Sequence, residues 1–302
     1  MAKNSSFNWL LFGVGGMFFI ALLILGIYLI LPVSYDGCIG VIEISGELVS
    51  QDVSPSLFYE GVKGSETIAD EIGSADERRD VKAVLILIDS PGGTVVASRQ
   101  VYEAVHGLEK PSVAYINEFA ASGAYYVAAG TDRIVSNPDA ITGSIGSKMQ
   151  FTEMSGLFGK LGINETVVKT GAMKDIGSPA REMTPEERAS LQELVNESFV
   201  QFVGDVKMSR GSRLNQAEFE KMLDGRIISG RKAERIGMVD ELGNKKAAIS
   251  AAARLANMTD TKNPSLCDLS GGKKSGGIFG SLSSQAEEFI RAQAGIPRLS
   301  YK

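Results

Sequence analysis

A serine and a lysine in this chain have the types and settings for acyl-transfer chemistry. Ser122 stands in Asn117-Glu118-Phe119-Ala120-Ala121-Ser122-Gly123-Ala124-Tyr125-Tyr126. The apolar run 111–116 predicts a strand, and the small-residue run 123–130 predicts the start of a buried helix. Ser122 falls at the join, with Ala120 and Ala124 two positions to either side. Small residues there suit a sharp strand-to-helix turn, although the G-x-S-x-G pattern is absent. A serine so placed also has free backbone N–H groups beside it, able to hold an oxyanion. The commoner role of a serine at such a join is a helix N-cap, and both readings stand at this point.

A serine nucleophile needs a base. His106 is the only histidine in the chain, so a Ser-His-Asp triad uses His106 or does not exist. The other solution is a Ser-Lys pair. A lysine base must be neutral, and burial favours that form by stripping the ammonium of its hydration. The base is therefore expected in a loop that becomes buried on assembly or on substrate binding. Lys174 meets this in Gly171-Ala172-Met173-Lys174-Asp175-Ile176-Gly177-Ser178-Pro179. The competing reading there is a solvated lysine paired with Asp175, and Lys148 and Lys169 are rivals on the same grounds. Asp89-Ser90-Pro91-Gly92-Gly93 and Thr142-Gly143-Ser144-Ile145-Gly146 are glycine turns. Their N–H groups can meet a ligand with no Cβ in the way. Each is equally a plain tight turn.

The elements that must position these residues follow from periodicity. Strands are expected over 38–44, 81–88, 111–116, 133–135 and 165–169, with short strands returning within 226–241. Helices are expected over 66–75, 95–108, 123–130, 156–161, 184–208, 216–223 and 245–255. Thr184 is the expected N-cap of the longest, with Pro185 first and Glu187 completing a capping box. Strands alternating with helices predict an α/β domain with a largely parallel sheet, its 81–88 strand buried on both faces.

Composition narrows the partners. A net charge of −5 with no basic patch argues against nucleic acid. The run 9–31 is apolar, uncharged and long enough to span a bilayer. It ends without a small-x-small cleavage site, so an uncleaved anchor is expected. Lys3 before it and Asp36 after it put residues 1–8 in the cytoplasm and the rest outside. A folded domain over 32–256 and a flexible tail over 257–302 complete the expected organisation, because the Gly-, Ser- and Lys-rich stretch 270–277 cannot bury a core. Cys38 and Cys267 are far apart, and two cysteines make neither a disulfide framework nor a metal site.

Together these motifs resemble the signal peptide peptidase A family, membrane-anchored serine proteases of the ClpP/crotonase-like fold. The resemblance covers about 41–253. It rests on Asp89-Ser90-Pro91-Gly92-Gly93, Ala121-Ser122-Gly123-Ala124-Tyr125-Tyr126, Thr142-Gly143-Ser144-Ile145-Gly146 and Lys174-Asp175-Ile176-Gly177-Ser178-Pro179, in that order. Gly225-Arg226, Gly230, Ala233, Gly237 and Val239-Asp240 extend it. By that resemblance Ser122 is the nucleophile, Lys174 the general base and Ser144 the residue orienting it. The N–H groups of Gly93 and Gly123 then form the oxyanion hole. The resemblance further implies ring- or dome-shaped homo-oligomers in which a neighbour supplies the lysine, no metal or other cofactor, and leftover signal peptides as substrates. Two positions depart from the family pattern. Ala124 replaces a glycine, and Ser147-Lys148 replaces a more apolar pair, which bears on side-chain preference. Stomatin-associated Ser-Lys membrane proteases and crotonase-like scaffolds without peptidase activity are the alternatives.

Overall fold

A computed structural model describes residues 36–55 and 61–269. The expected anchor over 9–31 lies outside the described residues, as does the tail from 270 onward. In chain order the elements are β1 (Cys38–Ser45), α1 (Ser65–Glu77), β2 (Val81–Ser90), α2 (Val95–His106), β3 (Ser112–Ala121), α3 (Gly123–Ala129), β4 (Arg133–Ser136) and β5 (Ile141–Gly143). There follow α4 (Ser155–Leu161), α5 (Pro185–Arg210), α6 (Gln216–Glu220), β6 (Ile227–Ser229), α7 (Gly230–Arg235), β7 (Glu241–Leu242), α8 (Lys245–Leu255) and β8 (Leu266–Asp268). The result is a mixed α/β fold around a largely parallel sheet. Among the described residues the sheet order is β6-β5-β3-β2-β1-β8, with β4 also on β3 and β7 on β4. Of these strands, only β5 and β6 pair antiparallel.

Strand alternation explains why helices cover both faces. Ile42 and Ile44 of β1, with Val84, Ile86 and Ile88 of β2, point to one side, against Ile72 of α1, Val101 and Val105 of α2, and α3. Ile39, Ala83, Leu85 and Val113 point to the other, against Ala248, Ala251 and Ala252 of α8. Near-continuous apolar strands follow from that double burial. The capping box forms as expected: the Thr184 side chain accepts from Glu187 N–H, and the Glu187 carboxylate accepts from Thr184 N–H.

β3 does most to build the site. Its first half pairs with β4, Val113 opposite Arg133, and its second half pairs with β5, Phe119 opposite Ile141. The change of partner carries β3 past the edge of β4 and delivers its C-terminal end to the turn after β5.

Three expectations are corrected. The strand over 165–169 does not form. Residues 161–174 are exposed throughout, and Val168 is 96% exposed, so its β-branched side chains have no sheet edge to join within the described residues. The domain does not stop at 256 but runs on to Leu269, because β8 adds to the free edge of β1 with Ile39 opposite Leu266. That pairing brings Cys38 and Cys267 together, and they form a disulfide with Cα atoms 5.8 Å apart across a separation of 229 residues. Distance along the chain concealed a contact that the returning segment creates.

Candidate active site

Ser122 occupies the single-residue join between β3 and α3. Its backbone is at φ 54° and ψ −125°, a conformation that costs a residue with a Cβ about 1–3 kcal/mol. Hydrogen bonds on every side hold it there. Ser122 N–H donates to the Gly143 carbonyl at 2.8 Å, and Tyr126 N–H donates to the Ser122 carbonyl at 3.0 Å. Thr142 Oγ1 donates to the Ala120 carbonyl at 2.6 Å. Below the turn, Tyr125 is fully buried and its hydroxyl donates to the Met238 carbonyl at 3.0 Å. The Tyr126 hydroxyl donates to the Asp205 carboxylate, and its ring stacks on Tyr102 at 4.4 Å. Burial pushes both the Tyr125 and the Tyr126 phenol well above the usual range, and the Asp205 bond adds to the rise at Tyr126. The Ser122 side chain itself makes no capping hydrogen bond, so its hydroxyl is not committed to the helix.

The Gly92-Gly93 turn lies against this elbow. Leu48 N–H donates to the Gly92 carbonyl at 2.8 Å, and Thr94 N–H donates to the Leu48 carbonyl at 3.0 Å. Gly92 is at φ 91°, and a Cβ there would sit 2.6 Å from Gly123 N. A Cβ on Gly93 would meet the Leu48 carbonyl oxygen at 1.9 Å. Only glycine fits at either position without moving backbone. No acceptor for the N–H of Gly93 or Gly123 appears among the described residues. Two unspent N–H groups beside a free hydroxyl can bind the oxyanion of a tetrahedral acyl intermediate.

Ser144 joins the same locus. The register that sets Ala121 opposite Gly143 brings Ser144 alongside Ser122. Ser144 also has a positive φ, 52°, and its N–H donates to the Arg226 carbonyl at 2.8 Å. The structure thus gathers Ser122, Gly93, Gly123 and Ser144.

Lys174 is placed differently. It lies in a single 3-10 turn, Ala172–Asp175, and is exposed. No hydrogen bond or ion pair joins its amine to Ser122 or Ser144 among the described residues. The expected competitor, a Lys174–Asp175 pair, does not form either. Asp175 is taken by Lys169 and by Arg181, whose Nη2 is 2.7 Å and Nε 3.1 Å from its oxygens. Arg181 Nη1 also donates to Glu187 Oε2 at 2.8 Å. The Arg181 guanidinium holds the Glu187 carboxyl down to about 2, and Arg181 with Lys169 holds Asp175 well below its ordinary value. This ion cluster ties the Lys174 turn to the first turn of α5.

His106 is exposed at the far end of α2, stacked on Tyr102 at 5.4 Å. At 1.5 Å per residue it stands about 16 Å along the helix from the end beside Gly93, so the triad reading fails on geometry. Lys169 is spent on Asp175 and the Ala172 carbonyl. Sequence reasoning passed over Thr142, which clamps the elbow through Ala120, and Arg181, which clamps the lysine turn. Thr142 lay in a motif that drew notice for its glycines. Arg181 carried a weak signal, six residues from both Asp175 and Glu187.

Comparison with known proteins is consistent with these features. The model of peptidase family S49 matches residues 106–259, which takes in Ser122, Ser144 and Lys174. A protein of Methanocaldococcus jannaschii, named as a candidate protease, is 38% identical over 226 residues, 74% of this chain and 71% of that protein. A candidate signal peptide peptidase of Enterococcus faecium is 30% identical over 224 residues, 73% of this chain and 64% of that one. Among solved structures, a serine-to-alanine variant of the 1510-N membrane-bound stomatin-specific protease superposes with a TM-score of 0.52 at 14% identity. It covers 78% of this chain and 99% of its own, a likeness of fold.

Proposed function

The chain belongs to peptidase family S49 and is a serine protease; from that premise we propose that it works through a Ser122–Lys174 dyad on unfolded, apolar peptides at a membrane. The observation that carries the reading is the strained, uncapped Ser122 facing the open N–H groups of Gly93 and Gly123. Lys174, neutral, takes the Ser122 proton. Ser122 Oγ bonds to the scissile carbonyl carbon, whose oxygen takes the electron pair and is held by the two N–H groups. Collapse breaks the C–N bond, and Lys174 returns the proton to the leaving amine. Water, deprotonated by the same lysine, then releases the acyl group. Ser144 orients the lysine from its place beside Ser122. None of these steps needs a metal or a nucleotide. Membership of the peptidase family removes the idle-scaffold alternative.

A neighbouring subunit supplies Lys174 in this reading. Support comes from the segment that carries it. α4 has no buried residue, and Met149, Phe151, Leu157, Leu161, Ile163 and Val168 are all exposed. A surface this apolar suits a partner, and a ring meets the need with a single repeated contact. Burial at that contact desolvates the amine.

Apolar peptides, cleaved signal peptides among them, suit Val95 and Val96, which are exposed immediately after the Gly93 turn. An anchor over 9–31 holds the enzyme at the membrane with residues 1–8 in the cytoplasm. The Cys38–Cys267 disulfide supports a protease domain on the oxidising side. A ClpP/crotonase-like assignment fits the parallel sheet and the β3 elbow. The fold shared with a stomatin-specific protease raises one alternative substrate to test, a stomatin-type peptide.

The test is labelling with a serine-directed fluorophosphonate, followed by peptide mapping. Wild type is expected to carry the label on Ser122 and to hydrolyse a signal-peptide mimic faster than a stomatin-type peptide. A label on another residue, or full turnover by Ser122→Ala, rejects the dyad. The reverse order of rates favours the stomatin-type reading.

A further inference from the structure

Ser98 is four residues beyond Thr94, the N-cap of α2. It is 3% exposed, and its Oγ has no hydrogen-bond partner among the described residues. A helix serine commonly returns its hydroxyl to the carbonyl four residues back. Here the Thr94 carbonyl accepts Ser98 N–H at 3.0 Å, and the hydroxyl is turned elsewhere. It is aimed at Gly123. Ser98 Oγ lies 1.9 Å from the point a Cβ on Gly123 would occupy, and that point is 3.4 Å from Gly93 N. Residue 123 must be glycine because the hydroxyl of Ser98 fills its side-chain space.

A buried hydroxyl left unpaired is costly, and such groups are rare in native proteins. This one stands beside the unspent N–H groups of Gly93 and Gly123. We propose that Ser98 is a third donor to the oxyanion, a catalytic residue that joins those N–H groups. The proposal rests on the reading of Ser122 as nucleophile. When Ser122 Oγ bonds to the carbonyl carbon and the π pair moves to oxygen, the Ser98 O–H donates to that oxygen and keeps its own proton. The bond is gained only as charge develops, so it acts on kcat and not on KM.

The experiment compares full-length wild type, Ser98→Ala and Ser98→Cys. It reads kcat and KM on an unstructured apolar peptide, inhibition by a peptidyl boronate, and the thermal midpoint. Cysteine keeps the shape of the side chain with a somewhat larger atom and is a much weaker donor. Both variants are expected to lose about 10- to 100-fold in kcat, with KM within about twofold. Boronate affinity should fall by the same factor, because the boronate forms the tetrahedral adduct on Ser122. Should Ser98→Ala fail to fold, Ser98→Cys carries the test alone. Wild-type kcat in Ser98→Cys assigns the residue to packing and overturns the proposal, as does wild-type kcat in a folded Ser98→Ala. Ser122→Ala, run in parallel, separates the two readings. If it is dead while the Ser98 variants are fully active, only the Ser98 role falls. If it is active, the nucleophile falls and this proposal with it.

Discussion

The Ser122 elbow and the Lys174 turn are built in opposite ways. At the elbow, backbone carbonyls and N–H groups of four segments interlock, every residue of 123–129 is buried, and a strained φ is held in place by its surroundings. The Lys174 turn has no buried side chain and hangs on one ion cluster, Lys169–Asp175–Arg181–Glu187. The Asp175 and Glu187 carboxylates of that cluster are largely covered, while Lys169 and Arg181 stay partly open to water, so it fastens the turn at one edge only. On the proposed dyad, the chain preorganises the half of the site that must resist strain, and the lysine half would be completed by contact. Strain needs a rigid frame, whereas a lysine that must lose its hydration gains from a partner that arrives and excludes water.

The largest test of this contrast combines dead variants. Ser122→Ala and Lys174→Ala should each cost at least about 10³-fold in turnover with thermal midpoints near wild type. Co-assembled, the two should recover measurable activity, because a mixed ring contains some sites with both groups intact. A verified mixed ring that stays inactive would place both halves in one chain and erase the contrast.

Next comes the clamp. Arg181→Met releases Asp175 and Glu187 together, and turnover should drop about 10- to 100-fold through misplacement of the lysine. The elbow should be untouched, so phosphonate labelling of Ser122 at saturating reagent should remain complete. Loss of labelling would mean that the two regions are mechanically coupled.

Acid should separate them as well. Glu187 is held at about 2, below its ordinary 4.5, by Arg181. Its pairing therefore stabilises the turn fully above pH 4.5, and that contribution drains away as pH falls towards 2. Amide protection over 172–184 should decline across that window, while protection over 120–126 declines only with global unfolding. Parallel loss in both segments would contradict the difference.

The Cys38–Cys267 bridge lies in neither region. Replacing both cysteines with serine should lower unfolding free energy by about 2–5 kcal/mol, since a long loop is no longer closed in the unfolded chain. Denaturation curves would show this, with kcat within about twofold. The smallest effect belongs to His106→Ala, exposed and remote, for which kcat/KM should change less than about twofold. A large loss would return histidine to the mechanism.

Much of the elbow was legible in the residues. Apolar runs ending in small residues and glycine pairs mark a strand, a tight turn and a buried helix, because those shapes admit few side chains. The capping box of α5 was equally readable, since its partners lie three residues apart and the bonds are local. The absent 165–169 strand and the present β8 show the reverse. Val167 and Val168 have the residue types of a strand, yet no edge is offered to them among the described residues. Leu266–Asp268 is only a short apolar–polar run, yet the open side of β1 takes it. A strand exists by pairing, and pairing is not a local property.

Sequence alone therefore determined the alternation of strands and helices, the glycine turns that interrupt it, and the candidate groups for acyl-transfer chemistry. Each of these depends on residues within a few positions of one another. Tertiary structure decided that Ser122 is a strained, uncapped elbow rather than an N-cap, and that Gly93, Ser98 and Ser144 meet around it. It also decided that Asp175 answers Arg181 instead of Lys174, and that two cysteines 229 residues apart are bonded. Those outcomes are set by which distant segments the sheet brings side by side, a consequence of burying both faces of β1, β2 and β3 at once.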